Sequence, residues 1–288
     1  MKLKLLTISF FACGLMGISA QAQGNSSEDS TGLPGDNFSL QGALAMFKKA
    51  GSPEEFEKMI NSPDNHVNNL DLNGDGDIDY VRVIDKSKGG DHVFVLQVPV
   101  SENESQDIAV IELEKNGAES ASLQIVGDED IYGEQTIAEP SEDIETEPGG
   151  NGPYYNPDNY SFAPSGAVVN VWFWPCVRFV YTPSYTLWVS PWRWHRYPMW
   201  WHPWRPLAWH VFHPFVRPFH RNYIVVSTHR LIRARAIYTP FRTTSVVVRT
   251  RNQGAINHFR VSRTTTISTG PGGKIKSKKT VIRGRRKG

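Results

Sequence analysis

The chain has 288 residues and 39% hydrophobic side chains, enough for a packed core. Its net charge of +2 hides a sharp division. Residues 23–148 carry 28 acidic against 7 basic side chains, and residues 149–288 carry one against 22. Only two cysteines are present, Cys13 and Cys176, which excludes a disulfide framework or a cysteine-built zinc site in the exported chain.

The first 22 residues read as an export signal. Lys2 and Lys4 precede an apolar stretch from Leu5 to Ile18, and Ala20 and Ala22 form an A-x-A cleavage site. The destination is the periplasm, the outer-membrane surface or the extracellular space. Residues 23–36, rich in Ser, Gly and Asp, are expected to be a disordered lead-in.

Residues 37–138 are expected to form an acidic domain. Leu40, Ala43, Leu44 and Phe47 recur at helical spacing behind Ser39. A second helix opens at Ser52, with Pro53 in its first turn, Glu55 completing a capping box, and Phe56, Met59 and Ile60 on its apolar face. Alternation then predicts strands over 78–85, 92–100, 106–114 and 120–127, joined by Gly- and Asn-bearing turns. The expected fold class is α+β: two N-terminal helices packed on a small antiparallel four-stranded sheet. A Trp/Pro/Arg-rich C-terminal half, mostly extended or β, is expected to follow.

Between the second helix and the first strand, residues 71–79 read D-x-N-x-D-G-x-x-D. A hard divalent cation takes six to eight oxygens. Asp71, Asn73, Asp75 and Asp79 can supply four from side chains, and the carbonyl of Asp77 a fifth. Gly76 permits the sharp turn that folds them inward. The loop resembles those of EF-hands, dockerins and integrin-type repeats. That resemblance implies calcium as the ligand, held by Asp71, Asn73, Asp75, Asp77 and Asp79. An EF-hand has a bidentate Glu at the twelfth position, where this chain has Arg82 inside a predicted strand. The expectation is therefore loop then strand, with an affinity suited to millimolar calcium outside a cell. The alternative is a plain Asx- and Gly-rich turn.

A linker rich in Pro, Gly and Glu is expected over 139–159. In the segment 160–223 all nine Trp fall between Trp172 and Trp209, broken by prolines and interleaved with Arg178, Arg193, Arg196, Arg205, Arg217 and Arg221. The prolines forbid one continuous helix and the arginines argue against a membrane span. Such a segment suits an anionic envelope polymer or glycolipid, or peptidoglycan, and is compatible with peripheral membrane contact. It equally suits packing on the acidic half. Six histidines, His195, His202, His210, His213, His220 and His229, leave a transition-metal binder as another reading. Residues 224–288 read as basic and β-rich: a run over 245–248, a hairpin around a Gly-rich turn at 270–273, and a basic tail.

No G-x-S-x-G, H-E-x-x-H or phosphate-binding loop occurs, and no catalytic or organic-cofactor residues are assigned. The basic tail and aromatics would suit nucleic acid, but export argues against it. The whole chain resembles exported Gram-negative proteins that join a calcium loop and small sheet domain to a Trp/Pro/Arg-rich second half. The reading is an exported, calcium-binding, non-enzymatic envelope protein. Its rivals are a hydrolase of cell-wall glycan or peptide and the histidine-based metal binder.

Overall fold

The computed structural model describes residues 30–141, 168–269 and 275–282. The export signal lies outside the described residues, as do the first half of the lead-in, most of the expected linker, the Gly-rich turn at 270–273 and the basic tail.

In chain order the elements are α1 (Leu40–Lys49), α2 (Pro53–Ile60), β1 (Arg82–Lys88), β2 (Asp91–Pro99), β3 (Ser105–Gly117), β4 (Ser120–Gly127), α3 (Glu129–Tyr132) and β5 (Thr136–Pro140). The second half supplies α4 (Pro175–Val180), α5 (Trp209–Val216), β6 (Tyr223–Val226), α6 (Ile232–Tyr238), α7 (Val246–Ser262), β7 (Arg263–Thr269) and β8 (Ile275–Ile282). The main sheet is antiparallel and runs in the order β1-β2-β3-β4-β5-β6. Strands β7 and β8 pair separately, in a two-stranded sheet.

This overturns the expected fold class. The sheet has six strands rather than four, and four of the seven α-helices lie in the C-terminal half, which was expected to be extended or β. Strand β5 registers against β4 on one side and β6 on the other, with Ile137 opposite Val226 and Pro140 opposite Tyr223. The basic half thus completes the sheet of the acidic half. The run at 245–248 also reverses its expected state. Ser245 acts as a helix cap, its Oγ accepting the Val248 N–H at 3.2 Å, and the valines enter α7. Their β-branched preference is too weak to override the cap and the helical continuation.

Local chemistry explains the first helices. Ser39 Oγ accepts the Gly42 N–H at 2.9 Å and Ser52 Oγ accepts the Glu55 N–H at 3.1 Å. Glu55 reaches back to the Gly51 N–H at 2.7 Å, and Glu54 and Glu55 oppose the positive end of the α2 dipole. Both helices bury their apolar faces in one core with β1–β5 and α4. At its centre Phe47 sits edge-on to Phe56 (5.2 Å) and against Phe94 (5.1 Å). Cys176 of α4 is buried in the same core.

The opposite face of the sheet carries Val93, Val95, Val110, Val126 and Ile137, covered by Leu231, Ala234 and Ile237 from α6 and the turn before it. Its polar positions include Asp91, Glu112, Glu114 and Glu139, and basic side chains of the second half meet them there. Strand β1 starts at Arg82 rather than at Ile78, because residues 78–81 pair with other partners. Ile78 N–H donates to Trp204 O, and Asn61 Oδ1 accepts the Val81 N–H, both at 2.8 Å. Among the described residues no helix is long and apolar enough to cross a membrane.

Candidate functional site

The loop at 71–79 is built from side chains that bind its own backbone. Asp71 accepts the Gly74 N–H (2.6 Å) and the Gly76 N–H (3.0 Å). Asn73 Oδ1 accepts the Asp75 N–H, and Asp75 Oδ1 accepts the Asp77 N–H, both at 2.9 Å. Asn73 Nδ2 donates to Asp75 Oδ2 at 2.8 Å. Gly74 and Gly76 adopt φ of +74° and +89°, which side-chain-bearing residues resist. Asp77 is exposed.

Asp79 closes the loop from beneath. It is buried, and its Oδ2 accepts the Leu72 N–H at 2.6 Å. Burial pushes its carboxyl up to about 7, the Leu72 bond opposes this, and the negative charges of Asp71 and Asp75 add to it. The carboxylates thus feel one another, but they are not drawn together: among the described residues no three His, Cys, Asp or Glu side chains form a metal-holding group. What suits a cation here is the oxygen types, the turn and the mutual repulsion of the carboxylates. Sequence reasoning missed Arg251 of α7, whose Nη1 donates to the Asn73 carbonyl. Its guanidinium covers Gly74 so closely that a Cβ there would collide with it.

Tyr80, next to Asp79, ties the loop to the Trp-rich segment. Its hydroxyl donates to Glu57 Oε1 at 2.8 Å, and its ring lies edge-on to buried Trp201 at 5.1 Å. Tyr197 and Trp200 flank it at 6.1 and 6.3 Å. Glu57 is 2% exposed and accepts from Tyr80, Ser190, the Val83 N–H and Trp188 Nε1 at 2.8, 2.9, 2.8 and 3.1 Å. One buried carboxylate therefore fastens α2, β1 and residues 188–190 together. Burial raises its pKa, and its four donors oppose that rise.

Nine arginines of the second half fall into two groups. Arg230, Arg233, Arg242 and Arg249 each meet acids of the first half, at Glu139, Asp91 and Glu114, Asp128 to Asp130, and Asp130 respectively. Arg193, Arg196, Arg205, Arg217 and Arg221 are exposed and form no ion pair with a described residue.

The six histidines do not converge. His229 Nε2 bonds Glu112 at 2.5 Å beneath α6, while His213 stacks on Trp209 at 4.6 Å with His220 beyond it at 6.4 Å. Two shallow clefts, of about 240 and 180 Å³, fall below the roughly 300 Å³ of ordinary small-molecule sites. Neither is lined by Glu57, Asp79, Asp107, Glu112 or Asp128, the carboxyls that burial shifts upward.

Comparison with protein families, with curated proteins and with solved structures finds no match.

Proposed function

We propose that the chain is an exported, calcium-binding, non-enzymatic protein of the cell envelope whose aromatic, basic face docks to an anionic envelope component. The observation that carries this reading is the division of the arginines. One group pairs with acids of the first half, Arg230 and Arg233 on the sheet face and Arg242 and Arg249 around the start of α3. The other stays exposed, and two of its members, Arg193 and Arg196, lie among Trp, Tyr and His side chains between Ser190 and Trp201, which Glu57 and Tyr80 hold in place. Arginine beside aromatic faces suits phosphate and carboxylate groups held at a surface. The shallow clefts favour docking over catalysis. Calcium fits the loop's donor types and would relieve the repulsion among Asp71, Asp75 and Asp79.

Retention of the mature full chain on isolated envelope material tests the docking. Retention is expected at low salt and should weaken as salt screens the arginines. No retention at low salt would overturn it.

A further inference from the structure

Residues 191–201 combine cations that are unpaired among the described residues with exposed apolar side chains. Arg193 and Arg196 face each other across a two-residue turn. The Arg193 N–H donates to Arg196 O at 3.1 Å, and the Arg196 N–H donates to Arg193 O at 2.9 Å. Trp194 and His195 form the tip, with His195 at φ +53° and its ring 4.2 Å from that of Trp194. Like charges at paired positions repel, and no described carboxylate pairs with either arginine. Arg82 lies beneath, donating to Trp192 O at 3.3 Å. Burial lowers its pKa; Asp107 resists that fall and the positive charge of Arg193 adds to it. The turn therefore concentrates positive charge that no described carboxylate meets in an ion pair.

A second turn follows at once, with the Trp201 N–H donating to Pro198 O at 3.0 Å. Trp201 points inward and is 3% exposed. Met199 and Trp200 point outward, 94% and 45% exposed. Lys58 of α2 places its Nζ 5.5 Å from the Trp200 ring centroid, which adds a third cation beside the apolar pair. Because Trp201 is anchored on Tyr80, Met199 and Trp200 are presented outward by a fixed turn.

We infer that this edge docks on a lipid bilayer with phosphate-bearing anionic headgroups. Arg193 and Arg196 together grip headgroup phosphate, while Met199 and Trp200 enter the headgroup–acyl boundary. This rests on the anionic-envelope reading and narrows it to lipid. A soluble polyanion would use the arginines and leave Met199 bare. A bilayer uses both, since Trp favours the interface and guanidinium forks match phosphate oxygens.

Co-sedimentation of the mature full chain with phosphatidylcholine vesicles, with and without phosphatidylglycerol, tests the assignment. Binding is expected only where phosphatidylglycerol is present. Arg193→Ser/Arg196→Ser should weaken it roughly thirtyfold, from the loss of two cations at an anionic surface. Met199→Ser/Trp200→Ser should weaken it roughly tenfold while leaving retention on soluble polyphosphate unchanged. Circular dichroism establishes folding, and should the arginine variant misfold, the Met199/Trp200 variant decides alone. Wild-type affinity for phosphatidylglycerol vesicles in the folded Met199/Trp200 variant, or in a folded arginine variant, overturns the inference. Retention on envelope polymer with no vesicle binding overturns it and leaves the broader docking reading standing. Binding to neither removes both.

Discussion

The Arg242 guanidinium reaches from the basic half to clasp Asp128 with two bonds, Nε to Oδ2 at 2.6 Å and Nη2 to Oδ1 at 2.9 Å. The Asp128 side chain is 3% exposed, and it also caps α3 by accepting the Asp130 N–H at 2.9 Å. Removing Arg242 leaves a buried carboxylate without its counter-charge. Arg242→Ala is expected to cost about 2–4 kcal/mol. Arg249→Ala, which breaks a pair whose arginine is 54% exposed, should cost less than about 1 kcal/mol. Urea unfolding followed by Trp fluorescence separates the two, and equal costs would refute the distinction.

Glu57 presents a second asymmetry. Its two oxygens receive four donors, and a carboxamide has only one accepting oxygen. Glu57→Gln would turn an NH₂ toward N–H and O–H groups. A loss of about 2–4 kcal/mol is expected, whereas Tyr80→Phe, which deletes one donor, should lose about 1–2 kcal/mol. If Glu57→Gln unfolds at the wild-type urea midpoint, the carboxylate is not the fastener described above.

The sequence discloses the elements whose signals are local. Ser39 and Ser52 announce their helices because a cap bonds three residues away. The strands of the meander show because alternation and turns lie within a few residues. Strand β5 does not, because Pro140 suggests a linker and the strand's far neighbour β6 lies some eighty residues further on. The burial of His229 against Glu112 and the reach of Arg251 to Asn73 are equally non-local, at separations of 117 and 178 residues. The charge division was visible, and the way the second half threads into the sheet was not. The loop residues were legible as oxygen donors, yet their spacing carries no information about what lies over Gly74.

Asp107 gives a pH signature. Burial pushes its carboxyl up to about 6; bonds from Gln97, Thr243 and Tyr238 oppose this, and the charge of Asp128 adds to it. The folded state therefore holds this proton more tightly than the unfolded chain does. Its contribution favours folding at about pH 4 and is lost as pH rises to about 6, then stays level. A two-unit shift corresponds to about 3 kcal/mol at most. Glu57, Glu112 and Asp128 are raised in the same direction. Asp107→Asn is expected to flatten part of that fall, read as urea midpoints across the interval. An unchanged slope would show that Asp107 titrates alike in both states.

The calcium reading makes the last prediction. An ion that binds only the folded loop adds about 2.7 kcal/mol of stability at a hundred times its Kd. That is on the order of a 5–10 °C rise in melting temperature for a chain of this size. Asp75→Ala should abolish the rise while melting close to wild type in chelator, because Asp75 is exposed and bonds only within the loop. Arg251 supplies an independent arm. Its guanidinium bonds the Asn73 carbonyl and places a positive charge against the loop. Arg251→Ala should therefore tighten calcium binding by a few fold in titration calorimetry, as Coulomb repulsion near a protein surface implies. A calcium-induced rise that survives in Asp75→Ala would place the ion elsewhere. No rise in the wild type would leave the loop as a turn that its own side chains hold shut.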